Sequence, residues 1–121
     1  MVSGRPILIV DDDPDTREAV AQLLAIAGYP VQTAIDGNQA LRAIERERPS
    51  LLLTDLHMPN LSGDALAVLL HQRGFDPPIV VMTGTARNPD QVREAIGADA
   101  CLPKPFDPSV LLGLVERYRV P

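Results

Sequence analysis

The sequence predicts an α/β domain in which helices cover both faces of an open parallel sheet. Two observations predict this fold class. Short apolar runs of strand length alternate with helical patterns along the chain, and three of these runs end abruptly in a polar residue. In an open parallel sheet, ligands bind outside the carboxyl ends of the strands. The polar residues that follow distant runs should therefore meet at one rim of the sheet.

The first strand is predicted over residues 6–10, directly before three consecutive aspartates. A helix over 14–27 follows, because its apolar residues recur at i, i+3, i+4 and i+7. Gly28 ends that helix, since glycine readily adopts the left-handed conformation found at helix C-termini. The periodic apolar residues of the helix are Val20, Leu23, Leu24 and Ala27.

The middle of the chain repeats this alternation. A second strand is predicted over 31–35, and Asp36-Gly37 turns the chain into a helix over 38–47. A proline stops the helix two residues later, because proline cannot continue the helical hydrogen-bond ladder. The third strand, over 51–54, is a continuous apolar run, which is typical of a strand buried on both faces.

The second half of the chain predicts two further strands and three helices. Two of these helices begin with a cap dipeptide, Asn88-Pro89 and Asp107-Pro108, in which an N-cap residue precedes a proline at the first helical position. In chain order the predicted elements are a helix over 64–72, a strand over 79–82, a helix over 89–96, a brief strand at Cys101 and Leu102, and a helix over 108–118.

The composition excludes several classes of function. The chain has 121 residues, 45% hydrophobic and 22% charged, which suits one soluble domain with a single core. An aromatic share of 3% disfavours base-stacking surfaces, and a formal net charge of -5 disfavours binding to a nucleic-acid backbone. No apolar stretch approaches the roughly 20 residues of a membrane span, and the N-terminus lacks a signal-peptide pattern. The single cysteine, Cys101, excludes an internal disulfide, so we expect a cytoplasmic protein. From the charge, the aromatic share and the lack of a long apolar stretch, we expect that it binds neither nucleic acid nor membranes.

Adjacent carboxylates follow the first strand, and another follows the third. Asp11 and Asp12 should lie near Asp55 at the rim, where a half-shell of carboxylate oxygens suits Mg²⁺. Carboxylates held this close repel one another, so a cation would stabilise them. Helix capping explains Asp13, because Asp13-Pro14 repeats the cap dipeptide of two other helices, but capping leaves the other two aspartates of the run unexplained.

Asp55, Thr83 and Lys104 fit the chemistry of phosphoryl transfer. A carboxylate can attack phosphorus to form an aspartyl phosphate, and a metal ion and an ammonium can stabilise the charge on the transferring oxygens. Thr83 could donate its hydroxyl group to a phosphoryl oxygen. Taken singly, the three have ordinary interpretations as a turn aspartate, a strand-end threonine and a surface lysine. Their joint position after separate strands favours one shared site.

Four motifs in order, ILIVDDDPDTRE, LLLTDLHMPNLSG, VVMTGTA and GADACLPKPF, together resemble the receiver domain of two-component response regulators. The resemblance covers nearly the whole chain. It implies a flavodoxin-like (βα)5 fold with a five-stranded parallel sheet of order 2-1-3-4-5. It also implies a single, stand-alone receiver domain over residues 1–121, similar to CheY.

The resemblance implies a phosphorylation-dependent signalling switch and not a conventional enzyme, since the chain would catalyse only its own phosphorylation and dephosphorylation. Asp55 would accept a phosphoryl group from the phosphohistidine of a sensor kinase or phosphotransfer protein. Thr83 and Lys104 would contact that group, and Lys104-Pro105 is the expected cis peptide. The implied ligands of Mg²⁺ (or Mn²⁺) are Asp11, Asp12, Asp55 and the backbone carbonyl of His57.

Three departures from the family pattern fall near the predicted fifth strand. Cys101 stands where the family commonly has an aromatic ring that moves with the threonine, Ala100 replaces an acidic residue, and the segment over 92–97 is short. We hypothesise that the output surface is atypical, and that any phosphorylation-dependent dimer that uses this surface is atypical too. The alternative is that Cys101 only packs against its neighbours without altering output. His57 and Thr85 are expected to tune the lifetime of the acyl phosphate, because each lies two residues after a site residue.

Two other functions compete with the receiver interpretation. Asp11 and Asp13 have the D-x-D spacing of haloacid-dehalogenase-like phosphatases, in which they would act as nucleophile and acid, although the chain lacks a cap insertion and a later acidic pair. A pseudo-receiver scaffold would bind a partner without phosphotransfer, but the complete set of site residues argues against it. Phosphorylation by acetyl phosphate with Mg²⁺ would separate the three, since only a receiver gains a phosphoryl group on Asp55.

Overall fold

The computed structural model describes residues 4–58, 60–84 and 88–120. Strands and helices alternate along it as expected, and the boundaries fall within about two residues of those predicted. Among the described residues, no helix combines the length and apolar character needed to cross a membrane. The elements are β1 Ile7–Val10, α1 Pro14–Ile26, β2 Val31–Ala34, α2 Gly37–Arg46, β3 Leu51–Asp55, α3 Gly63–Gln72, β4 Ile79–Thr83, α4 Pro89–Ile96, β5 Ala100–Pro103 and α5 Pro108–Tyr118.

The five strands form one parallel sheet in the order β2-β1-β3-β4-β5, which confirms the predicted flavodoxin-like topology. The register places Val10 of β1 beside Thr54 of β3, and Asp55 beside Met82 of β4. At the other edge Thr83 pairs with Pro103 of β5. The carboxyl ends of β1, β3, β4 and β5 therefore lie along one rim.

Each face of the sheet carries its own core because side chains alternate along a strand. On β1, Leu8 and Val10 pack on one face against α2 and α3, while Ile7 and Ile9 pack on the other face against α1 and α5. The central strands are buried throughout, which explains their continuous apolar runs. Helix α4 lies on the α2–α3 side, where Ile96 and Ala98 contact the core.

The helix starts are fixed by side-chain caps, as the cap dipeptides predict. Asp13, Asn88 and Asp107 each accept a hydrogen bond from a backbone N–H in the first turn of α1, α4 and α5. At α2, Asp36 accepts from the N–H of Gln39. These caps hold the four helices at defined positions against the sheet.

Two predicted boundaries differ from the structure. The second strand ends at Ala34 instead of residue 35, because the N–H of Ile35 donates to the Gln39 side chain and not to the sheet. The fifth strand is longer than its two predicted residues and runs from Ala100 to Pro103. Helix α4 has eight residues and none of them is buried, in line with the shortened segment noted in the sequence.

Candidate functional site

Three acidic side chains meet at the carboxyl rim of the sheet. Ligand oxygens of Asp11, Asp12 and Asp55 all lie within 4.8 Å of one another. Asp11 is fully buried, Asp55 is 9% exposed and Asp12 faces solvent. Mg²⁺ typically takes one or two protein carboxylates and fills its other positions with water or phosphate oxygens. A cluster that is buried on one side and open on the other therefore fits a divalent cation.

Lys104 reaches into this cluster. Its Nζ lies 3.0 Å from Oδ2 of Asp11 and 3.5 Å from Oδ1 of Asp55. Its backbone N–H donates to the carbonyl of Thr83 at 2.8 Å, and the Lys104–Pro105 peptide bond is cis, as expected. Lys104 is also the only lysine among the 11 lysines and arginines of the chain.

The two carboxylates keep the ammonium charged. Burial alone would lower the pKa of Lys104, but the hydrogen bond and charge of Asp11, with the charge of Asp55, outweigh it and raise that pKa. A buried carboxylate such as Asp11 would be costly without a partner. Lys104 therefore both neutralises Asp11 and presents positive charge beside Asp55.

The Asp55 carboxylate is held by one of its two oxygens. Oδ1 accepts a hydrogen bond from the N–H of Leu56 at 2.9 Å and faces the Lys104 ammonium. The contacts with Leu56 and Lys104 are thus both made by the same carboxylate oxygen, Oδ1. Burial raises the pKa of Asp55 above its ordinary value of 3.8; the charge of Lys104 opposes this shift and the charge of Asp11 adds to it. Neither of the two contacts uses the second oxygen, Oδ2.

Asp13 belongs to the helix cap and not to the acidic cluster. Its Oδ1 accepts from the N–H of Asp15 at 3.3 Å, and its Oδ2 accepts from the hydroxyl of Thr16 at 2.6 Å. The Thr16 hydrogen bond, followed by the backbone ones, lowers the pKa of this fully exposed carboxyl. Asp13 is therefore placed to start α1 rather than to act as an acid at the rim.

For the other predicted site residues, Thr83, His57 and Thr85, the structure gives fewer contacts. Thr83 is 1% exposed at the end of β4. His57 is exposed, and its charge helps to lower the pKa of Asp64 after the hydrogen bond from Ser62. The orientation of the His57 carbonyl toward the acids stays a prediction. Thr85 lies outside the described residues.

Two glycines that the sequence interpretation missed enclose the loop between β3 and α3. A Cβ on Gly63 would lie 2.4 Å from the carbonyl oxygen of Asp55, and a Cβ on Gly37 would lie 2.7 Å from the Cβ of Leu61. Neither glycine has a positive φ angle. The sequence does show that each glycine directly follows a good capping residue and begins a helix. This pattern could have drawn attention to the two glycines, but it does not show what they contact.

Arg17 was also missed. Its guanidinium Nη1 donates to the backbone carbonyl of Asp11 at 2.8 Å, and the N–H of Asp11 donates to the carbonyl of Ala34 at 3.2 Å. Oδ1 of Asp11 accepts from the N–H of Asp13 at 2.9 Å. The turn after β1 is therefore fixed by contacts with its own helix and with the edge strand.

The sequence profile described as "Response regulator receiver domain" matches residues 7–116, which is most of the chain. The chain belongs to this receiver-domain family. Among curated relatives, response regulator MprA of Mycobacterium leprae (strain TN) is 40% identical over 115 residues, covering 91% of this chain and 49% of MprA. Transcriptional regulatory protein PrrA of the same organism is 38% identical over 120 residues, covering 98% of this chain and 50% of PrrA.

Solved structures agree with this assignment. The chemotaxis response regulator CheY4 of Vibrio cholerae superposes on this receiver domain with a TM-score of 0.84 at 33% identity, covering 96% of this chain and 99% of CheY4. The receiver domain spans about half the length of the curated response regulators MprA and PrrA.

The phosphatase interpretation is not supported. The family match assigns the chain to receiver domains, and the geometry agrees with it. Asp11, the required nucleophile, is fully buried and hydrogen-bonded to Lys104, while Asp13, the required acid, is occupied in the helix cap. The D-x-D spacing reflects one residue of the cluster followed two positions later by a helix cap.

Proposed function

We propose that this receiver domain is a phosphorylation-dependent switch in which Asp55 is the phosphoacceptor. The observation that carries the proposal is the asymmetry of the Asp55 carboxylate. Its Oδ1 accepts a hydrogen bond from the Leu56 N–H and faces the Lys104 ammonium, and neither contact occupies Oδ2, which we expect to attack phosphorus. A nucleophile needs this arrangement, because one oxygen must be fixed while the other keeps its lone pairs for the incoming group.

In the proposed reaction, Oδ2 of Asp55 attacks the phosphorus atom of a phosphohistidine from the side opposite the imidazole. The P–O bond forms as the P–N bond breaks, and the electron pair of the broken bond leaves with the imidazole nitrogen. Lys104 stabilises negative charge on the phosphoryl oxygens, and the Thr83 hydroxyl donates a hydrogen bond to one of them.

The proposed cation is Mg²⁺ (or Mn²⁺), held by Asp11, Asp12 and Asp55 with the backbone carbonyl of His57. When bound, it would neutralise charge on the carboxylates and on the phosphoryl oxygens. The mutual proximity of the three carboxylates supports this ligand set. Asp12 is the only exposed carboxylate of the three, so we expect solvent and the phosphoryl donor to approach the site from its side.

The proposed donor is a histidine kinase or a histidine phosphotransfer protein. A mostly apolar groove of about 700 Å³ adjoins the site between α1 and the start of α5, and Lys104 forms part of its wall. A protein that presents its phosphohistidine to Asp55 would cover this groove. We therefore expect a phosphorylated histidine phosphotransfer protein to transfer faster than acetyl phosphate at equal donor concentration. The groove is lined by Asp15, Thr16, Ala19, Val20, Leu23, Lys104, Pro105, Phe106 and Pro108.

We propose that the phosphoryl group acts on the surface formed by α4, β5 and α5, and that this output surface is atypical. Cys101 is half-buried on β5, and burial followed by the charge of Asp90 raises the pKa of its thiol. No residue of α4 is buried, so this helix is held less firmly than the other four. The small thiol of Cys101 cannot change between an inward and an outward position when Thr83 moves, as an aromatic ring can. Amide chemical-shift changes confined to the usual surface and passing through Cys101 would contradict this proposal.

The test of the proposed function is chemical labelling. The protein is incubated with acetyl phosphate and Mg²⁺, and the modified residue is located by mass spectrometry after rapid peptide digestion. We expect one phosphoryl group on Asp55 and none when Mg²⁺ is removed by a chelator. A protein that stays unmodified under conditions that label a known receiver domain would support the pseudo-receiver scaffold and end this proposal.

A further inference from the structure

The turn between β2 and α2 (residues 34–39) contacts the residue that follows β1 and the loop that follows β3. The carbonyl of Ala34 accepts the N–H of Asp11 at 3.2 Å. Three residues later, Gly37 packs against Leu61 in the loop that follows Asp55. This turn supplies no side chain to the acidic cluster of Asp11, Asp12 and Asp55, yet it contacts the backbone of Asp11 and the loop that follows Asp55.

Gly37 is a glycine because of space and not because of backbone conformation. Its φ angle is not positive, and it is the first residue of α2, so its backbone conformation is one that alanine also adopts. A Cβ at this position would lie 2.7 Å from both the Cβ and the carbonyl oxygen of Leu61 and 2.8 Å from its Cγ. Two of these three atoms are fixed to the backbone, so rotation of the Leu61 side chain would not make room.

The turn itself is rigid. Oδ1 of Asp36 accepts from the N–H of Gln39 at 2.8 Å, and Oε1 of Gln39 accepts from the N–H of Ile35 at 2.8 Å. These reciprocal bonds form a variant of the capping box and fix the chain on both sides of Gly37. A clash at Gly37 would therefore displace the loop at Leu61 more readily than the turn.

The loop after β3 passes this displacement to the phosphoacceptor. The N–H of Gly63 donates to the carbonyl of Leu56 at 2.9 Å, which closes the loop on itself. The N–H of Leu56 holds Oδ1 of Asp55, and the Leu56 and Leu61 side chains pack on the same core. A shift at Leu61 should thus alter the orientation of the Asp55 carboxylate through Leu56.

We propose that Gly37 is a positioning residue for the phosphoacceptor site, which it holds in register through Leu61. The inference rests on the proposed function of Asp55. It assigns to α2 a role in setting metal affinity and phosphorylation rate, although α2 contributes no ligand or catalytic group.

The decisive variant is Gly37→Ala. We expect Mg²⁺ affinity, measured by titration calorimetry on the metal-free protein, to fall about tenfold, as is typical when a residue that supports a metal ligand is changed. The rate of labelling by acetyl phosphate should fall with it, and the amide resonance of Leu56 should shift. Adding Leu61→Gly, which removes two of the three clashing atoms, should restore part of the lost affinity.

Gly113→Ala is the matched control, because a Cβ at Gly113, in the exposed middle of α5, meets nothing within 4 Å. It should leave both Mg²⁺ affinity and labelling rate at wild-type values. A Gly37→Ala protein with a lower melting temperature but unchanged Mg²⁺ affinity would overturn the inference, since the contact would then be merely structural. If Gly37→Ala does not fold, the double variant Gly37→Ala with Leu61→Gly decides, because it removes two of the three clashing atoms. A Mg²⁺ affinity of the double variant equal to that of Leu61→Gly alone would overturn the inference. Failure of the wild-type protein to bind Mg²⁺ or to be labelled would instead count against the proposed function.

Discussion

Asp55→Asn should abolish phosphorylation by acetyl phosphate while the domain becomes more stable in metal-free buffer. The amide keeps the size of the carboxylate but has no nucleophilic oxygen, so no aspartyl phosphate forms. The same change removes a buried negative charge that lies close to Asp11. We expect a gain in the free energy of unfolding with chelator present, because burial and the charge of Asp11 disfavour the ionised form of Asp55 in the folded protein and raise its pKa.

The pH dependence of that gain follows from the raised pKa of Asp55. As the pH rises above 3.8, Asp55 in the unfolded chain loses its proton first, while the folded protein retains it until the raised pKa is reached. The wild-type protein therefore loses stability relative to Asp55→Asn across this interval. The difference in unfolding free energy should be largest near neutral pH and should shrink as the pH falls toward 3.8.

Urea unfolding at several pH values measures this difference. Glu116→Gln is a suitable control, because Glu116 is an exposed carboxylate of α5 that lies outside the site. Saturating Mg²⁺ should stabilise the wild-type protein, by about 2.7 kcal/mol at one hundred times the dissociation constant, and should stabilise Asp55→Asn less. Equal stabilisation of the two proteins by Mg²⁺ would show that Asp55 is not a metal ligand.

Gly63→Ala should disrupt the site from the opposite side of the same loop. The added Cβ would lie 2.4 Å from the Asp55 carbonyl oxygen and 3.2 Å from the Cα of Leu56, so backbone atoms must move. That carbonyl oxygen also accepts the Thr54 hydroxyl at 2.9 Å, which leaves it little freedom. We expect a loss of about 3 kcal/mol in unfolding free energy, at the upper end of overpacking effects, and a labelling rate about a hundredfold lower because Asp55 is displaced.

The comparison with Gly113→Ala separates this effect from a general effect of alanine. In α5 the same substitution should stabilise the domain by about 0.5–1 kcal/mol, because it only restricts the unfolded chain and improves helix propensity. Chemical denaturation gives both free energies, and mass spectrometry gives the labelling rates. A Gly63→Ala protein with wild-type stability and wild-type labelling would show that the β3–α3 loop adapts without moving Asp55.

The fold could be predicted from the sequence because its signals are local and redundant. The strands buried on both faces show as continuous apolar runs, and the caps at Asp13, Asn88 and Asp107 mark where helices start. The edge strand β2 is half-exposed, so its end was placed one residue too far. What ends it there is a hydrogen bond from the backbone N–H of Ile35 to the side-chain oxygen of Gln39, which no pattern of hydrophobicity records.

The sequence predicts which residues form the site, but it does not predict how they contact one another. The parallel topology brings the residue after each strand to one rim, so the convergence of Asp11, Asp12, Asp55 and Lys104 follows from the order of strands. The sequence does not show that Asp11 is fully buried, because that depends on contacts with residues far along the chain. Nor does it distinguish a glycine needed for space, such as Gly63, from one needed for conformation, such as Gly28 with its φ of 99°.

A chain with one lysine carries a natural handle for spectroscopy. Reductive methylation with isotope-labelled formaldehyde would introduce NMR-visible methyl groups at Lys104 and at the terminal amine alone, since arginine does not react. Because the Lys104 nitrogen lies between two carboxylates, its dimethylamine resonance would respond directly to cation binding and to acylation of the neighbouring aspartate. The state of the whole rim could then be followed in solution from one peak.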